Sequence, residues 1–185
     1  MSTKRIGFDF DKIFVNYPPF IPDFIINYFY KKHNHDLKYR FPGGLERGIR
    51  IISHASFFRP PIWANINSLK RIAEKNNIAT YLVSSRFSFL KNQTKVWDNK
   101  NNIFKYFKKV FFNFSDTQPH LFKDRIIKKE KIDKFIDDDF DLLKYLAINN
   151  SNVEFYWLTS KKSEIKLPHN IKPIANIEEF RQKYL

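Results

Sequence analysis

From residue 61 onward the apolar positions follow two alternating rhythms. Ile62, Ile66, Leu69 and Ala73 recur at helical spacing and predict an amphipathic helix over about 62–76. Ile78 to Val83 is an unbroken apolar, β-rich run, the pattern of a buried strand, and it closes on Ser84-Ser85-Arg86. A polar helical stretch is expected over about 87–108, and a third strand over Val110 to Phe114. Pro119 opens a basic helix reaching about Lys129. Lys134-Phe135-Ile136 predicts a fourth strand, ending at Asp137-Asp138-Asp139. Leu142, Leu143 and Leu146 mark the next helix, and Val153 to Leu158 a fifth strand. Asn176 with Glu179 resembles a capping box for a last helix to Tyr184.

The first third of the chain is less regular. Residues 4–8 predict a short strand that runs into Asp9-Phe10-Asp11. Six prolines punctuate residues 12–61, and Pro42-Gly43-Gly44 is a strong turn. Two helices are expected inside this stretch. One covers about 22–33, with Phe24, Ile25, Tyr28 and Phe29 on one side, and the other about 45–53. Strands alternating with helices imply an α/β fold, a doubly wound, Rossmann-like and mostly parallel sheet with helices on both faces. The expected organisation is a single domain over residues 1–185, carrying an insertion at about 12–61.

Composition narrows the chemistry. The length of 185 residues and an apolar share of 43%, with 21 Phe, suffice for a ring-rich core. A net charge of +14 favours anionic partners: phosphate esters, nucleic acid or anionic lipid. The absence of Cys excludes disulfide scaffolds, thiolate zinc sites and Cys nucleophiles. Four glycines, at 7, 43, 44 and 48, cannot write GxGxxG or the phosphate-binding GxxxxGK[ST] loop. No apolar run approaches the ~20 residues of a membrane span. Acidic residues come too early for a signal peptide, so a soluble, cytoplasmic protein is expected.

In a doubly wound sheet, chemistry sits at the carboxyl ends of the strands. Three predicted strands end in polar clusters: Asp9 and Asp11, Ser84 and Ser85, and Asp137 to Asp139. Any one Asp-x-Asp pair is at background frequency. Four carboxylates converging on one edge, however, repel one another unless a cation lies between them, and hard oxygen ligands suit Mg²⁺.

Taken in order, Ile6-Gly7-Phe8-Asp9-Phe10-Asp11, Tyr81-Leu82-Val83-Ser84-Ser85-Arg86, Lys123 and Phe135-Ile136-Asp137-Asp138 resemble the haloacid dehalogenase-like (HAD) phosphatases. The resemblance spans residues 5 to about 145 on fewer than twenty positions. It departs from the family pattern after the second Asp, where Lys12-Ile13 replace the common Gly-Thr. The resemblance implies that Asp9 attacks phosphorus to form an aspartyl-phosphate. Asp11 then serves as acid and base. Mg²⁺ is held by Asp9, the backbone carbonyl of Asp11, and Asp137 or Asp138, with Asp138 preferred as the direct ligand. Ser84 bonds a phosphoryl oxygen, a role Ser85 can exchange with it, and Arg86 joins them at the substrate. Lys123 neutralises nucleophile and phosphate, in competition with Lys128 and Lys129.

The resemblance also places a flap or small cap at 12–61. That segment is dense in Tyr17, Tyr39, Arg40, Arg47, Arg50 and Arg59, with Arg40 and Arg59 preferred as substrate contacts. His33 and His35, two apart, are poorly spaced for metal binding on a helix. A response-regulator receiver is excluded, because Ser53-His54-Ala55-Ser56 stands where its phosphoacceptor belongs. GxSxG is absent, which argues against a serine hydrolase. The expected activity is Mg²⁺-dependent phosphomonoester hydrolysis on a phosphorylated small molecule, a nucleotide or a nucleic-acid end. The alternative is a basic nucleic-acid-binding protein without catalysis, suggested by runs such as Lys105-Tyr106-Phe107-Lys108-Lys109.

Overall fold

The structure is a computed structural model, which describes residues 3–18, 37, 39–160 and 166–185. The helix expected at 22–33, with His33 and His35, lies outside the described residues. Among the described residues, six strands form one sheet in the order β3-β2-β1-β4-β5-β6. They are β1 (Lys4–Phe8), β2 (Ile78–Phe87), β3 (Lys109–Asn113), β4 (Lys134–Asp137), β5 (Glu154–Leu158) and β6 (Ile171–Ile174). Every pairing is parallel. The helices are α1 (Gly44–Ser53), α2 (Trp63–Ala73), α3 (Lys91–Asn101), α4 (Pro119–Glu130), α5 (Phe140–Asn149) and α6 (Ile177–Tyr184). This is the expected doubly wound α/β architecture. No helix among the described residues is long and apolar enough to cross a membrane.

Strand alternation divides the core between the two faces of the sheet. On one face Ile6, Phe8, Leu82, Ile136 and Tyr156 pack against Leu69 of α2 and Phe180 of α6. On the other, Tyr81, Val83, Phe135 and Phe155 pack against Ile126 of α4 and Leu143 of α5. Gly7 belongs to the second face. A Cβ there would lie 2.5 Å from the Phe135 ring, so the close approach of β1 and β4 requires glycine.

Three elements depart from the sequence reading. β2 continues through Ser84, Ser85 and Arg86 to Phe87, because its last residue still pairs with β3 after a register shift. The helix expected over 87–108 holds only from Lys91 to Asn101. Asn102 takes a left-handed φ of 53° that ends it, and a short 3₁₀ turn follows at Phe104–Tyr106. β6 was not expected: it is four residues long and contains Lys172 and Pro173, a composition tolerable only at a sheet edge.

Candidate active site

Register brings the acidic clusters together. Phe8 pairs with Ile136, and the Asp9 N–H donates to the Ile136 carbonyl at 2.9 Å, so Asp9 and Asp137 leave neighbouring strands at the same height. Phe8 also pairs with Leu82, which places Ser84 at the same edge. Beyond Asp9 the chain folds into a tight turn. Phe14 and Val15 N–H groups both donate to the Phe10 carbonyl, and buried Phe10, Ile13, Phe14 and Val15 pin the turn to the core. Asn65 of α2 donates to the Ile13 carbonyl at 2.7 Å. The turn presents Asp11 beside Asp9, and both line a cleft of about 130 Å³.

Three carboxylates converge there. Asp9, Asp137 and Asp138 each offer an oxygen within 4.8 Å of the others. Lys123, 3% exposed, reaches in from α4, its Nζ 2.7 Å from Asp9 Oδ1 and 2.6 Å from Asp137 Oδ2. Lys128, the rival on the same helix, instead pairs with Asp124 at the surface. Asp137 Oδ1 also accepts the Asp139 N–H at 3.0 Å, and the Asp138 carbonyl accepts Trp157 Nε1–H at 3.1 Å. Asp139 caps α5, accepting from Asp141 and Leu142 N–H groups, and takes the Tyr39 hydroxyl at 2.8 Å.

The electrostatics follow from this burial. Desolvation pushes the Asp9 carboxyl up to about 7, Lys123 opposing and Asp137 and Asp11 adding to the rise. Burial raises Asp137 against the pull of Lys123; burial and then Asp137 raise Asp138 well above the usual carboxylate range. Burial lowers Lys123, but Asp137 and Asp9 outweigh it and hold the ammonium charged. Three carboxyl groups crowded together, two of them on one buried ammonium and all pushed toward the neutral form by burial, make a site whose ionised state gains from a further cation, and an all-oxygen donor set fits Mg²⁺.

Asp11 is in a different environment. Arg86 grips it with two donors, and Arg59 Nη2 bonds the same Oδ1. Burial raises Asp11, yet the guanidiniums of Arg86 and Arg59 prevail and hold it well below the usual carboxylate range. Arg86 lies over the Phe10 ring at 4.5 Å and donates to Thr94 at 2.9 Å. Arg59, 2% exposed, lies over Tyr17 at 4.9 Å, and its carbonyl accepts Trp97 Nε1–H. Arg59 and Arg86 were expected at the substrate; here their guanidiniums are engaged by Asp11. Arg40 is at the rim of the cleft, paired with Glu46 at 2.7 Å. Ser84 and Ser85 both line the cleft. Ser84 Oγ accepts the Arg86 N–H at 3.4 Å, whereas the buried Ser85 Oγ has no hydrogen-bond partner among the described residues.

The solved structures bear on the fold. An uncharacterised protein from Listeria monocytogenes matches with a TM-score of 0.58 at 12% identity, covering 97% of this chain and 95% of its own. A HAD family enzyme from Bacteroides thetaiotaomicron, an aspartate-to-alanine variant in complex with magnesium and inorganic phosphate, matches with a TM-score of 0.53 at 16% identity, covering 88% and 97%. A haloacid dehalogenase-like family hydrolase from Streptococcus pneumoniae matches with a TM-score of 0.51 at 12% identity, covering 85% of each chain. The chain has the HAD fold. No protein-family model and no curated protein matches the sequence.

Within this HAD fold, sequence reading did not single out His54. Glu46, Arg50 and His54 follow one another at i, i+4 and i+8, and all three turn inward. Arg50 pairs with Glu46 at 2.6 Å, and His54, 4% exposed, lines the cleft. Its Nδ1 lies 2.8 Å from the Arg50 carbonyl, an acceptor, so the hydrogen is on Nδ1. Burial first, then Arg59 and Arg86, holds the imidazole neutral. Of the large apolar residues of α1, Leu45, Ile49 and Ile52 face outward and Ile51 is half-buried. The helical spacing was the available signal, but the usual apolar-inward reading points it the wrong way.

Proposed function

We propose that the protein is a phosphomonoester hydrolase acting through a covalent aspartyl-phosphate on Asp9. The observation that carries this reading is the Lys123 bridge between Asp9 and Asp137 inside the three-carboxylate cluster. A structural ion pair needs one carboxylate. Two carboxylates on one buried lysine with a third beside them, at the carboxyl edge of a HAD-type sheet, suit a site for metal and phosphate.

Asp9, Asp137, Asp138 and the Asp11 backbone carbonyl would hold Mg²⁺, which when bound supplies positive charge to the phosphate oxygens and keeps Asp9 ionised. An Asp9 carboxylate oxygen attacks phosphorus, and the bond from phosphorus to the leaving oxygen breaks. Lys123 steadies the nucleophile and the charge on the phosphoryl group. Ser85, with Ser84 beside it, donates to a phosphoryl oxygen. Asp11, held as a carboxylate by Arg59 and Arg86, is ready to accept the proton of the water that hydrolyses the intermediate. To protonate the leaving oxygen in the first half, it must loosen from its arginines and gain a proton.

The insertion at 12–61 acts as a small cap that sets substrate choice, with Arg40 its contact to the substrate. The +14 charge supports a nucleotide or nucleic-acid end as substrate. The test is hydrolysis of p-nitrophenyl phosphate, nucleotides, sugar phosphates and 3′- or 5′-phosphorylated oligonucleotides, with and without Mg²⁺. Turnover that needs Mg²⁺ and disappears in Asp9→Asn supports the reading; no turnover of any phosphomonoester overturns it.

A further inference from the structure

Lys12 stands where the HAD pattern commonly has glycine, and it sits beside the carboxylate cluster. Its Nζ lies 3.6 Å from Asp138 Oδ2. Its backbone adopts a φ of 59°, the left-handed region that disfavours an L side chain. The Lys12 N–H donates to the Val15 carbonyl at 2.7 Å, so the turn that carries Asp11 holds this conformation in place. The ammonium also lies 4.6 Å from the centre of the Tyr17 ring, with Arg59 at 4.9 Å from the same ring.

The two lysines at the cluster differ in kind. Lys123 is 3% exposed and bridges two carboxylates, so it is a fixed part of the site. Lys12 and Asp138 are 23% and 20% exposed, so this pair is within reach of solvent. A flexible four-carbon stem lets such an ammonium swing away without disturbing the core. With all three carboxylates ionised, as metal binding requires, they and the two ammoniums sum to a formal charge of −1. Without Lys12 the charge is −2, which one divalent cation neutralises.

We propose that Lys12 competes with the divalent cation for Asp138. Its ammonium satisfies Asp138 when no ion is bound, must move aside for the ion, and so weakens the site's affinity for Mg²⁺. The inference rests on reading Asp9, Asp137 and Asp138 as the metal site. It goes further in assigning this chain's own departure from the family pattern a role in setting metal occupancy. The physical argument is Coulomb repulsion between a monovalent and a divalent cation a few ångströms apart, at the intermediate dielectric of a partly exposed site.

The test is calorimetric titration of Mg²⁺, repeated with Mn²⁺, into the wild-type protein and four variants. Lys12→Asn removes the charge and tolerates a left-handed backbone. Lys12→Gly removes it with no backbone cost and serves if the asparagine variant folds poorly. Lys12→Arg keeps the charge, and Asp138→Asn removes the ligand. The expected result is roughly tenfold tighter binding in Lys12→Asn and Lys12→Gly, wild-type affinity in Lys12→Arg, and a large loss in Asp138→Asn. The rise in melting temperature on adding Mg²⁺ should be larger in the two neutral variants than in wild type. Unchanged affinity in the neutral variants, with Asp138→Asn still defective, overturns the role of Lys12 and leaves the metal site standing. Tighter binding in Lys12→Arg as well overturns the charge argument. Equal binding by wild type and Asp138→Asn overturns the metal reading, and this inference with it.

Discussion

Arg86 grips Asp11 through two donors, Nε to Oδ2 at 2.8 Å and Nη2 to Oδ1 at 2.7 Å. This bidentate pair joins the end of β2 to the turn after β1. It fixes the carboxylate in orientation as well as in charge. Arg59 adds a third donor from the segment before α2, so a residue 48 positions further along the chain reaches the same carboxylate.

Arg59→Ala is therefore expected to lower turnover on all substrates alike, by about tenfold or more, since a hydrogen bond to a charged group is worth roughly 1.5–3 kcal/mol. Arg40→Ala should lower kcat/KM only for substrates large enough to reach the rim. Parallel kinetics on p-nitrophenyl phosphate and the best substrate of the panel separate the two. A loss confined to the large substrate in Arg59→Ala would return that arginine to the role of a substrate contact.

Asp9→Asn should abolish hydrolysis while the protein stays folded, because the amide is a far poorer nucleophile of nearly the same shape. Circular dichroism checks the fold, and single-turnover assays with chelator-stripped protein check the metal. Residual activity near wild type would exclude covalent catalysis through Asp9.

Lys123→Met should destabilise the metal-free protein by about 3–5 kcal/mol, the range for removing one partner of a buried ion pair. Two buried carboxylates, Asp9 and Asp137, lose their shared partner. Mg²⁺ should recover part of the loss. Urea unfolding in chelator and in Mg²⁺ measures both, and an unchanged midpoint in chelator would count against a charged Lys123.

In chelator, stability should depend on pH through Asp9. Its folded value, about 7, is above the ordinary 3.8, so its contribution is fully present below the ordinary value and is lost as pH rises through about 7. Asp137 and Asp138 are shifted in the same direction. Asp11 is shifted down, and its contribution is lost only as pH falls below the ordinary carboxylate range. Melting temperatures of wild type and Asp9→Asn at pH 5 and pH 8 should diverge, wild type losing on the order of 2–4 kcal/mol more at the higher pH. Identical pH slopes in the two proteins would contradict the burial argument.

Gly7→Ala should cost ~1–3 kcal/mol, the usual price of overpacking a filled core. Its Cβ would meet the Phe135 ring at 2.5 Å and Ile132 at 3.0 Å. Thermal unfolding checks this, and a neutral result would show that the β1–β4 contact has slack.

The alternation of strand and helix after residue 61 was legible because each element carries its own period: 3.6 for Ile62, Ile66 and Leu69, and a continuous apolar run for Ile78 to Val83. Placing Asp9, Ser84 and Asp137 at one edge followed as well, because parallel strands send their carboxyl ends the same way. β6 escaped notice because Lys172 and Pro173 break a four-residue pattern that only an edge position permits. Beyond Lys123 with Asp9, which the family resemblance implied, side-chain partnership was not legible. Arg59 and Asp11 are 48 residues apart and Arg86 and Asp11 are 75 apart, and one sequence does not say which arginine meets which carboxylate. The same holds for Lys12 against Asp138 and for the inward turn of Glu46, Arg50 and His54. Periodicity and strand polarity are local consequences of backbone geometry, so β1 to β5 and the edge where acids gather could be read from the chain alone. Pairings between distant side chains depend on register and on how the connecting loops run, so which charges meet emerges once the chain is folded.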